Sequence, residues 1–311
     1  MDFRNRPVFL TSVVVLAIYA PILAQDEKKG NKDEQNEYVR LEREDGIVTA
    51  LQTAIVRFAP KDGTQQSPTV DLVAAIHVAD KSYYEKLNAR FETYDVVLYE
   101  LVAPEGTRVP KGGGKSGSGH PVSVLQKLMT GVLDLDYQLQ GIDYTKANFV
   151  HADLSPEKFA QSMQRRGESM WTMVFRMMGY AMAQQSGDSD VSDARLLAAL
   201  FDPNRALALK RIMSEQFQDM DSALGAIEGP DGSAIITDRN QAASEVLRKQ
   251  IEQGKRKIAI FYGGGHMPDF AERLRDDFNL APVETQWLTA WNMESRESRV
   301  KSQEPEKSQE E

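Results

Sequence analysis

The sequence predicts an α/β fold: a mixed central β-sheet with flanking helices and a helical insertion, or cap, in the middle of the chain. Three observations predict it. Two strand-like runs flank an Asp-Gly pair at 45–46. A strand–helix–strand pattern fills 70–102. A late apolar run, KIAIFYGGGHMPDF at 257–270, passes into three glycines, a histidine and a second helical pattern.

Taken in order, YVRLER (38–43) and IVTALQTAIVRF (47–58) read as a hairpin closed by the Asp-Gly turn. VDLVAAIHV (70–78) is a near-continuous apolar run suited to a buried strand. Asp80 is placed to cap the helix KSYYEKLNARF, and DVVLYELV (95–102) is the next buried strand. Together they predict a β-α-β unit, right-handed and parallel. Residues 103–121 form a flexible loop by composition. Its GGGKS is not a phosphate loop, because that motif needs glycine five positions before Gly114 and position 109 is Val109.

Apolar residues at helical spacing dominate 122–225, the predicted helical insertion. A Met-rich run at 169–183 lies within it, read as core packing or as a face for apolar partners. Asp238 with Gln241 reads as a capping box for a helix ending at Gly254. A strand at 257–262, a helix from Pro268 to Phe278 and a strand around VETQWLT follow. The folded part is expected over 38–292.

The 311 residues suffice for one large domain. A net charge of −9 argues against a nucleic-acid binder, because phosphate recognition needs an excess of Lys and Arg. The absence of cysteine excludes disulfides, thiolate zinc sites, iron–sulfur clusters and a cysteine nucleophile. Residues 1–24 have a basic start, an apolar stretch and a small residue, as an export signal peptide does. An uncleaved membrane anchor is the alternative; either way the body is expected outside the membrane, periplasmic or secreted. Residues 25–37 and 293–311 are polar and charged and read as a disordered linker and tail.

His77 and His266 each follow an apolar strand and precede an amphipathic helix, and Glu100 ends the strand between them. The carboxyl ends of strands in an open α/β sheet form its ligand crevice, so the two histidines can meet there. Two histidines and a carboxylate are the minimum for a hydrolytic metal centre. The plainer alternatives stay open: a histidine hydrogen-bonded for structure, and Glu100 paired with an arginine. His151 and Asp153, in NFVHADLSPEKF, are weaker candidate ligands; Asp153 or Ser155 is also placed to cap the helix at Pro156. His120 falls in the loop and reads as solvated.

The segment LVAAIHVADKSYYEKLNARFETYDVVLYELV resembles the opening signature of the TraB/PrgY–TIKI–GumN superfamily: a strand ending in G-x-x-H, a helix, and a strand ending in Glu. The later TDRN, helix, strand and Gly263-x-x-His266 resemble its second half. The matched pieces span roughly 65–102 and 235–275. The family is similar in fold to the erythromycin esterase and ChaN haem-binding proteins, and some members are metal-dependent proteases. The resemblance implies that His77, Glu100 and His266 are the functional set, with Arg239 and Asn240 as the family's Arg-Asn pair. Ala74 stands where the first motif has glycine.

The expectation is therefore an exported, metal-dependent, peptidase-like hydrolase acting on a peptide or small molecule. His77, His266 and Glu100 would hold a divalent ion (Mn, Co or Zn), with Glu100 as ligand or base. Arg239 and Asn240 would stabilise an oxyanion. The alternative is a non-catalytic protein that sequesters a peptide or haem-like ligand in the same crevice.

Overall fold

Asp45 and Gly46 have φ of 50° and 81°, the left-handed pair that a two-residue mirror-type turn requires. They join β1 (Val39–Glu44) to β2 (Ile47–Pro60), and the predicted hairpin is formed. A computed structural model describes residues 38–60, 67–104, 106–107, 109–112, 133, 135–169, 195, 198–199, 201–215 and 232–294.

Long β2 organises one side of the sheet. β3 (Thr69–Ala75) pairs antiparallel with Ile55–Phe58 of β2, while β9 (Leu280–Asn292) pairs antiparallel along its opposite edge. The other side is parallel. β8 (Lys257–Gly263) lies between β3 and β5 (Val96–Tyr99), and β7 (Phe149–His151) flanks β5. The order is β1-β2-β3-β8-β5-β7, with β9 also on β2, a seven-stranded mixed sheet. A separate two-stranded ladder joins β4 (Val78–Ala79) to β6 (Asp136–Tyr137).

Both faces of the sheet are covered, which explains why the central strands are almost wholly apolar; the exception, buried Asp71 of β3, is paired with Arg57, Arg90 and Tyr94. Val73, Val97 and Phe261 face one layer, with Tyr83, Tyr84, Leu87 and Phe91 of α1 (Lys81–Phe91). Leu72, Leu98 and Ile260, one residue away on each strand, face the other layer. There they meet Ala243 and Leu247 of α4 (Thr237–Glu252), and Phe270 and Leu274 of α5 (Met267–Asp276). This two-residue alternation is the pleat of a strand buried on both sides. Two shorter helices, α2 (Gln138–Gly141) and α3 (Pro156–Arg165), and a helical stretch at 205–215 complete the described elements. The central sheet flanked by helices is the predicted fold class.

Several local expectations differ from what is seen. β3 and β5 are parallel but not neighbours, because β8 from far along the chain inserts between them. The region 122–225 is not wholly helical: β7 belongs to the main sheet and β6 to the small ladder. Asp80 makes no capping bond; its carboxylate takes Lys210 Nζ at 2.6 Å and the Asn292 amide at 2.6 Å. Asp238 is inside α4 rather than capping it, and is held by Arg166 and Ser162. The chain instead enters α4 through a reciprocal turn. Ser233 Oγ accepts from the Ile236 amide and Thr237 Oγ1 from the Ser233 amide. Ser155, with Pro156 behind it, does cap α3, its hydroxyl accepting from the Lys158 amide.

The predicted signal peptide 1–24, the linker 25–37, His120, residues 170–183 of the Met-rich run and the tail beyond 294 lie outside the described residues. Among the described residues, no helix is long and apolar enough to cross a membrane.

Candidate functional site

Parallel strands that end together present whatever follows them to one edge of the sheet. Ala75 of β3 lies opposite Gly263 of β8, and Tyr99 of β5 lies opposite both Phe261 of β8 and His151 of β7. His77, Glu100, Asp153 and the turn Gly264–His266 therefore all emerge at the same edge. The first turn of α4 brings Arg239 and Asn240 to them.

Arg239 is the hub. Its Nε donates to Asp153 Oδ1 at 2.9 Å, and its Nη2 donates to Asp153 Oδ2 at 2.6 Å and to Glu100 Oε1 at 2.7 Å. Its Nη1 makes only a long 3.5 Å contact with His266 Nε2. The second oxygen of Glu100 accepts the Gly263 amide at 2.8 Å. His266 Nδ1–H donates to Asn240 Oδ1 at 2.7 Å. The Asn240 amide group donates in turn to the His266 carbonyl at 2.9 Å and to Asp269 at 2.8 Å. Those acceptors set the orientation of the Asn240 amide, and with it the His266 tautomer, leaving the lone pair on Nε2.

The cluster is nearly dry: the side chain of Asp153 is 0% exposed, Arg239 and His266 8%, and Glu100 13%. Burial alone raises the pKa of Glu100, but Arg239, His266, His77 and the Gly263 amide outweigh it and hold the carboxyl well below its usual range. Burial likewise opposes the charge on Arg239, and Asp153 and Glu100 overcome it, so the guanidinium is held more firmly charged. Burial dominates at His266, pushing it down to about 4 although Glu100 pulls the other way. It is a neutral imidazole at neutral pH.

His77 is different in kind. Its side chain is exposed, and its Nδ1 lies 3.0 Å from Gln138 Oε1, within hydrogen-bond distance. Gln138 Nε2 donates to Tyr144 Oη at 3.0 Å. His77 is near enough to Glu100 for its charge to lower that carboxyl.

The metal expectation is overturned. Among the described residues, no group of three or more His, Asp or Glu is arranged to hold a metal ion. Both Glu100 oxygens and both Asp153 oxygens are already engaged, and the buried cation beside them is Arg239. A divalent ion placed against Glu100 would meet that guanidinium at close range in a low-dielectric site. The residues His77, His266 and Glu100 come to one edge, but not as a ligand set for Mn, Co or Zn. The metal-dependent hydrolase, metalloprotease and metal-binding readings fall with it.

No family model matches the chain, and neither a curated protein nor a solved structure matches it. The resemblance to the TraB/PrgY–TIKI–GumN superfamily thus gains no support from any match.

The weaker candidates separate. Asp153 is the principal partner of Arg239, neither helix cap nor metal ligand. His151 Nε2–H donates to the Leu101 carbonyl at 2.5 Å and its ring packs edge-on to Tyr99. Ala74 is fully buried among the residues under α4 and α5, so its methyl group faces the core and not the crevice. Gln138, Tyr144 and Asp269 were missed. Asp269 had a faint signal, three residues after His266 in the first turn of α5; Gln138 and Tyr144 had none.

Proposed function

We propose that the crevice is a metal-independent acid–base site that hydrolyses a small polar ester or amide. The observation that carries the reading is the exposed His77 at the rim, its ring held by Gln138, beside the buried Glu100–Arg239 pair. His77 Nε2 takes a proton from an attacking water and returns it to the leaving group. Glu100 stabilises the imidazolium formed in between. Arg239 Nη1, whose contact with His266 is long, offers an N–H to the carbonyl oxygen as charge develops. His266 stays neutral and closes the wall of the crevice.

The order of motifs that resembles the TraB/PrgY–TIKI–GumN outline supports this placement of the crevice. The 1–24 segment supports export to a periplasmic or secreted location, and the acidic balance supports a partner other than nucleic acid.

A panel of chromogenic p-nitrophenyl esters and aminoacyl p-nitroanilides, with chelator throughout, tests the reading. Turnover by the wild-type chain that falls at least about 100-fold in His77→Ala supports it. No turnover of any substrate, or equal turnover by His77→Ala, rejects it. A second reading, a cluster that only ties strand ends together, is favoured by one observation. No buried side-chain nitrogen or oxygen among the described residues lacks a partner. That reading expects His77→Ala to change neither turnover nor stability.

A further inference from the structure

His77 and Gln138 are separated by 61 positions, and three features bring them together. The β4–β6 ladder pairs Val78 with Tyr137, and the Gln138 amide extends it by donating to the His77 carbonyl at 2.9 Å. Asn88 of α1 then clamps the arm, donating to the Gly141 carbonyl at 2.7 Å and accepting from the Asp143 amide at 2.9 Å. Gly141 packs directly on Tyr84: a Cβ there would come within 2.4 Å of the ring. Tyr84 reaches the Ile76 carbonyl at 3.1 Å, one residue from His77. Gln138 is itself buried, so its amide group has little freedom to turn.

We infer that Gln138 is a positioning residue for His77, holding the ring as the Nδ1–H tautomer so that Nε2 presents its lone pair to the crevice. The inference deepens the proposed function and rests on it for its catalytic meaning. Without such a partner, a histidine side chain in water prefers the opposite, Nε2–H form. A base whose lone pair must face substrate gains from having that preference reversed. The same device recurs at His266, where Asn240 supplies the amide oxygen. The two histidines are set alike from two separate elements.

The test uses the full chain labelled with 15N. Two-bond 1H–15N correlations of the His77 ring, assigned with His77→Ala, report its tautomer directly. The expected pattern is a protonated Nδ1 and a lone pair on Nε2. Gln138→Leu should move the population toward Nε2–H. Gln138→Glu, nearly identical in shape, places a carboxylate against Nδ1–H and should keep the Nδ1–H form. The acid limb of kcat/KM in that variant should move to higher pH. A wild-type ring in the Nε2–H form would overturn the inference. So would a tautomer unmoved in Gln138→Leu together with a pH profile unmoved in Gln138→Glu. If the tautomer behaves as expected but no substrate is turned over, the hydrolase reading fails while the positioning of the ring by Gln138 stands.

Discussion

At Arg239 one positive charge touches two buried carboxylates, and removing it leaves both uncompensated. Arg239→Met should therefore destabilise the chain by about 3–5 kcal/mol, measured as a loss in urea unfolding. Arg239→Lys keeps the charge but loses the planar fork that serves Asp153 and Glu100 together, and should cost about 2 kcal/mol. His77→Ala is the contrast. Its ring is exposed, so stability should change by less than about 1 kcal/mol while turnover collapses. At this scale much was legible. A histidine or glutamate at the end of an apolar strand has few reasons to be there, and His77, Glu100, His266, Arg239 and Asn240 do converge. Their chemistry was not legible, because a carboxylate near two histidines reads the same whether its neighbour is a metal or a guanidinium.

Elements show the same division. The β1–β2 turn, the end of α4 before Gly254 and the Ser155 cap of α3 follow from residues adjacent in sequence. The β6–α2 arm does not, since it is held by Asn88 and Tyr84 from α1. Gly141→Val tests that arm. The new side chain would enter the Tyr84 ring, and repacking should cost about 1–3 kcal/mol. Hydrogen exchange should speed up over 136–144 while the central strands stay protected. Gly46→Val meets nothing in space but forces a β-branched residue to a φ of +81°, and should cost about 1–2 kcal/mol.

The whole molecule should be acid-labile. His266 titrates near 4 in the folded chain against an ordinary value of 6.5, so folding favours its neutral form. That contribution is complete above about pH 6.5 and is lost as pH falls toward 4. Glu100 is also depressed when folded; its contribution is complete above its ordinary value of 4.5 and is lost below it. Both act in the same direction. Between pH 7.5 and 4.5 the His266 linkage alone should remove about 2–3 kcal/mol. His266→Gln should flatten that part of the profile, as followed by urea midpoints across the range.

The class of fold, most strand and helix positions, and the polar residues at strand ends are all written in the chain, because they depend on periodicity and on neighbours in sequence. Tertiary contacts alone set β8 between β3 and β5, and bring β7, from a stretch expected to be helical, into the sheet. They alone decide that Asp153 and Glu100 share Arg239 instead of a metal ion, and that Gln138 holds His77. These are contacts between residues 61 to 139 positions apart. What a buried charge pairs with is settled by the nearest opposite charge in space, a quantity that spacing along the chain does not encode.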